Sequence, residues 1–427
     1  MQNRVKKKKK ISLTTMIFIA LLAGALAGVI INYLIPSNYV VDDIIVQGVF
    51  YIVGQGFIRL MRMLVVPLVF CSIVCGSMAV GDTKKLGSVG VKTLIFYLCT
   101  TALAITVALT IANIFNPGKG LDMSQIQVTS TVSETTQSMS MTETLLDIIP
   151  VNIFNSLSEG NMLQIIVFAL ILGVILANMG DRVDIVKNFF GQFNDIMMEM
   201  TMAVMKLAPI GVFCLIAKTF AEIGFEVFIP LLKYMFCVLL ALAVQCFVVY
   251  LGLLKIFSGL NPFIFIKNFF PVMAFAFSTS TSNATIPMNI DTLAEKMGVS
   301  KKISSFTIPL GATINMDGTS IMQGVAVVFT AQAFGIPLDM MDYLTVIGTA
   351  TLASIGTAGV PSVGLITLTM VFNSVGLPIE GIALIMGIDR ILDMTRTAVN
   401  ITGDAVCTTI VASWNKAVDR DVYYNRK

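Results

Sequence analysis

The hexapeptide Ser278-Thr279-Ser280-Thr281-Ser282-Asn283 interrupts an apolar stretch over 262–298 and is followed by Ala284-Thr285-Ile286-Pro287. A second stretch, 339–375, repeats the plan around Ser354-Ile355-Gly356-Thr357-Ala358-Gly359-Val360-Pro361-Ser362. A bilayer core of about 30 Å asks for about 20 apolar residues per crossing helix. Each arm of these stretches is expected to be too short to cross alone. Two short arms joined by a polar, Gly/Pro-bearing tip predict a helical hairpin that enters and leaves a membrane by the same side. Non-helical backbone at that depth is tolerated only where it is buried in protein or lines a water-filled cavity.

Outward from the hairpins the chain is apolar almost throughout. Further long apolar segments cover approximately 11–35, 45–80, 86–116, 148–180, 183–221 and 226–258. Only 12% of the 427 residues are charged and 56% are hydrophobic, against about 25% charged in a soluble domain. A soluble enzyme is excluded, and an all-α polytopic membrane protein is expected. The absence of histidine removes His-based triads and His-ligated metals. No G-x-x-x-x-G-K-[ST] occurs, so no P-loop is built in. The seven cysteines lie in apolar runs without a C-x-x-C pair and read as buried thiols.

Charge sets the orientation. The first apolar segment follows the basic run Lys6–Lys10 and continues past the length of a signal-peptide core, so it reads as an uncleaved helix with its N-terminus in the cytoplasm. The first outer turn carries Asp42 and Asp43, whereas inner turns carry Lys84, Lys85, Lys92, Arg182 and Lys187. Lys416, Arg420, Arg426 and Lys427 place the C-terminus inside as well. The Ser/Thr-rich run from Pro117 to Leu145 reads as a solvated outer loop. Gly24-x-x-x-Gly28 reads as an ordinary helix contact rather than a dimer signal.

Broken segments in corresponding positions of two halves point to a solute site at the bilayer midplane, and polar residues follow each hairpin. After the first come Thr313-Ile314-Asn315-Met316-Asp317-Gly318-Thr319. Asn315 and Asp317 would diverge by about 200° on a regular helix, so an unwound stretch beside Gly318 is expected to turn both into one cavity. Their oxygens suit a hard cation. After the second hairpin, a step of about 100° per residue places Asp389, Asp393, Arg396, Thr397, Asn400 and Asp404 within an arc of roughly 100°, with Arg390 on its margin. An ionisable group at the bilayer centre costs at least about 2.5–3.5 kcal/mol. Four carboxylates against two guanidiniums leave a net negative region that attracts cations. Asp393 and Arg396 offer both signs within one turn. A zwitterion with an additional carboxylate fits them, its amine on Asp393 and its side-chain carboxylate on the Arg396 fork. Asn400, Ser282, Thr319 and backbone amides of the two hairpin tips are candidates for the α-carboxylate.

The segments GATINMDGT (311–319), SIGTAGVPS (354–362) and DMTRTAVNITGD (393–404) resemble those of the glutamate transporter family, the dicarboxylate/amino acid:cation symporters. The resemblance implies eight transmembrane helices, two re-entrant hairpins, inverted repeats and a homotrimer in the cytoplasmic membrane that works as an elevator. It implies a cytoplasmic tail 1–10, scaffold helices within 11–80 and 148–222, a third helix at 86–116, and an outer loop at 117–147. A transport domain would cover 226–417, with hairpins at 262–298 and 339–375 and helices at 300–335 and 379–416, followed by a tail at 418–427. By the same resemblance Asp393 takes the amine and Arg396 the side-chain carboxylate, with Asn400, Thr397, Thr319, Ser282, Val360 and Gly364 as further substrate contacts. One sodium site would use Gly311, Asn315, Asn400 and Asp404. A second would use Thr313, Met316, Ser354, Ile355 and Thr357. A third would use Tyr97, Thr100, Thr101, Asn315 and Asp317. The expected activity is sodium-driven import of aspartate or glutamate, with sodium as coupling ion, no cofactor and no nucleic-acid partner.

The chain departs from the family pattern at Ser280 and Met394, where some relatives carry arginine, at Asn283, which stands for a serine, and at Arg390. Proton coupling and neutral, cystine or C4-dicarboxylate substrates stay open as alternatives. An intramembrane aspartyl protease lacks its G-x-G-D motif here, since Ile401 precedes Thr402-Gly403-Asp404. A passive channel would not need a pocket of both signs.

Overall fold

A computed structural model describes residues 13–36, 38–81, 88–121, 149–224, 228–355, 363–386 and 388–425. Among these the chain is almost wholly helical and holds no strand. Among the described residues six segments are long and apolar enough to cross a membrane: Thr15–Leu34, Val40–Phe57, Val89–Phe115, Gln164–Val204, Phe228–Ser258 and Pro262–Thr279. Large apolar side chains such as Leu26, Ile52, Phe247, Ile256 and Phe263 stand exposed on their outer faces. Such faces suit lipid, where a helix persists because its backbone groups are satisfied internally.

Helix Leu13–Leu34 lies along Ala208–Ile223. A Cβ on Gly24 would sit 2.7 Å from Phe213 O and one on Gly28 2.6 Å from Ala217 O. The paired glycines therefore serve a contact inside the chain, by letting two backbones approach. Helix Tyr51–Gly81 packs on Met162–Met179, Asp184–Met205 and Ala208–Ile223. A second set of helices packs around Asp389–Trp414: Ser88–Phe115, Phe228–Ala243 with its continuation, and the arms Pro262–Thr279 and Ser282–Met297. Lys301–Ile314 and Asp317–Ala333 complete that set.

Both expected hairpins have two helical arms. The first turns at Ser280-Thr281, between Pro262–Thr279 and Ser282–Met297. Its first arm is longer than the sequence implied and is itself of spanning length; the turn, not shortness, sends the chain back. Ser280 holds φ +52°, a left-handed conformation costly for a residue with a Cβ and characteristic of functional tips. The second hairpin has arms Met340–Ser354 and Val363–Ser374. Its tip, 356–362, lies outside the described residues.

Three element boundaries differ from expectation. The segment 183–221 is two helices, Asp184–Met205 and Ala208–Ile223, because Pro209 favours a helix start there. The segment 379–416 holds a short helix, Gly381–Met386, before the regular Asp389–Trp414. In 300–335 the break falls at Asn315-Met316, while Gly318 is helical. Gly318 instead permits close approach, since a Cβ there would lie 2.8 Å from Arg396 O.

The tail is docked. Asp419 N donates to Gly298 O at 2.8 Å, Arg420 Nη2 to Ser258 O at 3.1 Å, and Tyr423 Oη to Asn261 O at 2.8 Å.

Candidate functional site

Helix Asp389–Trp414 presents its polar arc to the protein interior. Asp389, Asp393, Arg396, Thr397, Asn400 and Asp404 are all buried. The Arg396 guanidinium is only 1% exposed; its Nη1 donates to Asp389 Oδ1 at 2.6 Å and its Nη2 to Asp393 Oδ1 at 2.8 Å. Thr397 Oγ1 donates to Asp393 O at 2.9 Å. The two residues expected to take opposite ends of a zwitterion are thus bonded to each other, with Asp389 as a third member. A charge at this depth needs such a partner, because stranding it costs about 3–5 kcal/mol. The second hairpin meets the same place: a Cβ on Gly364 would lie 3.0 Å from Thr319 Cγ2 and 3.4 Å from Arg396 Nη2. Ser282 is buried at the other tip, its carbonyl accepting from Thr285 Oγ1 at 2.6 Å.

One turn further along the helix, the break at Asn315 assembles a second group. Asn315 Nδ2 donates to Asp404 Oδ1 at 2.9 Å and to Asn400 O at 3.1 Å. Asn400 Oδ1 accepts from Gly318 N at 2.7 Å, and its Nδ2 faces Met316 Sδ at 3.4 Å. Any side chain on Gly311 would collide with Asp404 Oδ1 and with Tyr97 Oη, so this helix must be bare there. Gly311, Asn315, Asn400 and Asp404, the first expected sodium set, are therefore neighbours.

Asp317 opens the second half of the broken helix, where the free N–H groups and the dipole favour an anion. It is completely buried. Its Oδ1 accepts from Thr101 Oγ1 at 2.6 Å, and its Oδ2 accepts from Tyr250 Oη at 2.7 Å and Gln245 Nε2 at 3.2 Å. Thr100 and Thr101 hydroxyls also approach Tyr97 O, at 3.1 and 2.9 Å. The third expected set is gathered here.

The remaining set is described only in part. Thr313 Oγ1 donates to Pro309 O at 3.3 Å and Ser354 Oγ to Thr351 O at 2.7 Å. Met316, Ser354 and Ile355 are all buried. Thr357 and Val360 lie outside the described residues, as does the side chain of Arg390. Among the described residues no cluster of three Asp, Glu or Cys side chains forms. The oxygens at hand are mainly amides and hydroxyls beside single carboxylates, a donor set for a hard cation rather than a transition metal.

Three contributors were not singled out as site residues from the sequence. Asp389 was visible on the arc as a charge without a role. Gln245 and Tyr250 sit in the apolar segment 226–258, where a lone glutamine among aliphatic residues was the available signal.

The sequence profile of the Sodium:dicarboxylate symporter family matches residues 13–414. The chain belongs to that family. Sodium:dicarboxylate symporters are integral-membrane secondary transporters, not enzymes. This family member is similar to the proton/sodium-glutamate symport protein of Bacillus caldotenax, 40% identical over 411 residues and 95% of each chain. It is 36% identical to the proton/glutamate-aspartate symporter of Escherichia coli K12 over 422 residues, 97% of this chain and 95% of the other. It is also 33% identical to C4-dicarboxylate transport protein 1 of Ralstonia nicotianae over 372 residues, 86% of each.

Proposed function

We propose that this protein imports aspartate or glutamate across the cytoplasmic membrane, driven by the sodium gradient. The observation that carries the reading is the buried Asp389–Arg396–Asp393 triad beside Thr319 and Gly364. A substrate side-chain carboxylate would replace Asp393 on Arg396 Nη2, and its ammonium would take the Asp393 carboxylate so released. One ion pair is exchanged for two, and the remaining α-carboxylate would be held by the polar groups of Ser282, Thr319 and the hairpin-tip amides. A C4-dicarboxylate has no amine to take the released Asp393. A neutral amino acid has no carboxylate for the Arg396 fork. The glutamate and glutamate-aspartate relatives agree with this choice.

The cation half of the reading rests on Asp404 and Asp317, each with amide or hydroxyl oxygens around it and each behind the substrate triad on the same packed unit. A sodium ion moving down ~100 mV and a roughly tenfold gradient releases about 2.3 plus 1.4 kcal/mol, enough for roughly 500-fold accumulation per net charge. The helices packed around Asp389–Trp414 would travel together as the transport domain. The set formed by Leu13–Leu34, Tyr51–Gly81 and 162–223 would be the scaffold of a homotrimer, with both termini in the cytoplasm.

The test is uptake of labelled aspartate into proteoliposomes under an imposed sodium gradient, with a proton gradient as the parallel arm. Sodium-driven accumulation competed by glutamate but not by serine or succinate is expected. Accumulation under the proton gradient alone would overturn sodium coupling, and competition by succinate would overturn the role of Asp393.

A further inference from the structure

Helix Phe228–Ala243 continues through a π-helical turn, Val244–Tyr250, into Leu251–Ser258. Gln245 and Tyr250 would lie about 140° apart on an α-helix. The i→i+5 bonding of a π-turn stacks residues five apart about one turn above each other. Both side chains consequently reach the same atom, Asp317 Oδ2. Single π-turns inside α-helices cost regular bonding and recur at functional sites.

Tyr250 has only a hydroxyl to offer, and it donates that proton to Asp317. Gln245 has more. Its Nε2 faces two acceptors, Asp317 Oδ2 at 3.2 Å and Thr100 O at 3.4 Å. Only the nitrogen end of the amide can satisfy them, so the oxygen end is assigned without ambiguity. That oxygen, Oε1, is buried and has no hydrogen-bond partner. The same holds for Asn315: its Nδ2 is committed to Asp404 Oδ1 and Asn400 O, and its Oδ1 is buried without a partner. A buried amide oxygen left bare costs about 1–3 kcal/mol. One of the two belongs to a side chain bonded to Asp317, and the other to the residue two before Asp317, at the break of its helix. Tyr97 O faces the Thr100 and Thr101 hydroxyls, and Thr101 Oγ1 donates to Asp317 Oδ1, so these oxygens already have partners, unlike the two bare amide oxygens.

We propose that Gln245, held by the π-turn, contributes its Oε1 as a ligand to a monovalent hard cation bound at Asp317, together with Asn315 Oδ1. The cation supplies what both oxygens lack, and the Gln245 amide joins cation and carboxylate by holding one with its oxygen and the other with its nitrogen. The proposal rests on the sodium-coupled reading above and adds a ligand from the helix 228–258.

The purified full-length protein, without amino acid, is followed by thermal unfolding against NaCl and LiCl at constant ionic strength in choline chloride. The wild-type protein is expected to be stabilised by sodium. Gln245→Leu removes both ends of the amide and should raise the half-saturating sodium concentration by about tenfold or more, because affinity follows ligand number. It should also change the sodium-to-lithium ratio, since a lost ligand alters cage size. Gly252→Ala, on the same continuous helix with no atom within 4 Å of the added Cβ, should leave that ratio as in the wild type. Should Gln245→Leu not be recovered folded, Gln245→Asn, which withdraws the amide by one methylene, carries the same readout. Sodium stabilisation in the wild type with both isotherms unchanged in the Gln245 variant overturns this ligand and leaves sodium coupling standing. No sodium stabilisation in the wild type overturns both.

Discussion

Arg396 Nη1 donates to Asp389 Oδ1 at 2.6 Å across two turns of a single helix, with both side chains buried. Seven residues return to nearly the same helix face, and long side chains lean toward the helix N-terminus, so Arg396 reaches back over Asp393 to Asp389. The pair aims the guanidinium. Asp389→Asn leaves a neutral acceptor in place of an ion and should lower stability by about 1.5–3 kcal/mol. Denaturant titration in detergent reads this, and an unchanged midpoint would show that the pair contributes nothing.

Arg396→Thr should separate acidic from neutral substrates. A charge-assisted bond to a carboxylate is worth about 1.5–3 kcal/mol, so aspartate affinity should fall roughly 10- to 150-fold. Serine, which does not use the fork, should compete no more weakly than it does against the wild-type protein. Unchanged aspartate affinity in a competition assay removes Arg396 from side-chain recognition.

Asp404→Asn tests charge with little change of shape, because an asparagine carbonyl can still accept from Asn315 Nδ2. The half-saturating sodium concentration for aspartate uptake should rise at least about tenfold, the loss of a charged hydrogen-bonding oxygen. Asp317→Asn should act in the same direction and also disturb Tyr250, whose hydroxyl would lose its ionic acceptor. Wild-type sodium dependence in both variants counts against these carboxylates as cation groups.

Gly403→Ala decides between propensity and packing. Alanine gains about 0.8–1 kcal/mol over glycine within a helix. At Gly403 the new Cβ would lie 2.5 Å from Tyr250 Oη and 2.6 Å from Asn315 Nδ2, and overpacking costs about 1–3 kcal/mol. Net destabilisation with weakened sodium dependence is expected. Gly252→Ala, with no atom within 4 Å, should be neutral or stabilising. Equal behaviour of the two variants in thermal unfolding would mean that the wall between Gly403, Tyr250 and Asn315 is loose.

The polar arc on Asp389–Trp414 was legible because helical periodicity is local: residues three, four and seven apart share a face whatever the rest of the chain does. The hairpins were legible for a related reason, since polar tips within apolar runs have few other homes in a membrane. The break in 301–333 was placed near Gly318 by the usual preference of that residue, yet it falls at Asn315-Met316. Asn315 gives its side chain to Asp404 and Asn400, and those partners, 85 and 89 residues away, decide where the helix opens. Gln245 and Tyr250 escaped notice because their segment is as apolar as any other crossing helix.

The amino-acid order alone determined the class of molecule, its long apolar segments, the turn between helical arms at Ser280-Thr281 and the charges that must be buried, because each follows from transfer costs and from repeats of a few residues. Tertiary structure alone decided that the broken helix opens at Asn315 toward Asn400 and Asp404, and that a π-turn swings Gln245 onto Asp317. Both outcomes depend on which acceptors other helices bring within 3.5 Å, a matter of packing between distant segments that no local pattern encodes.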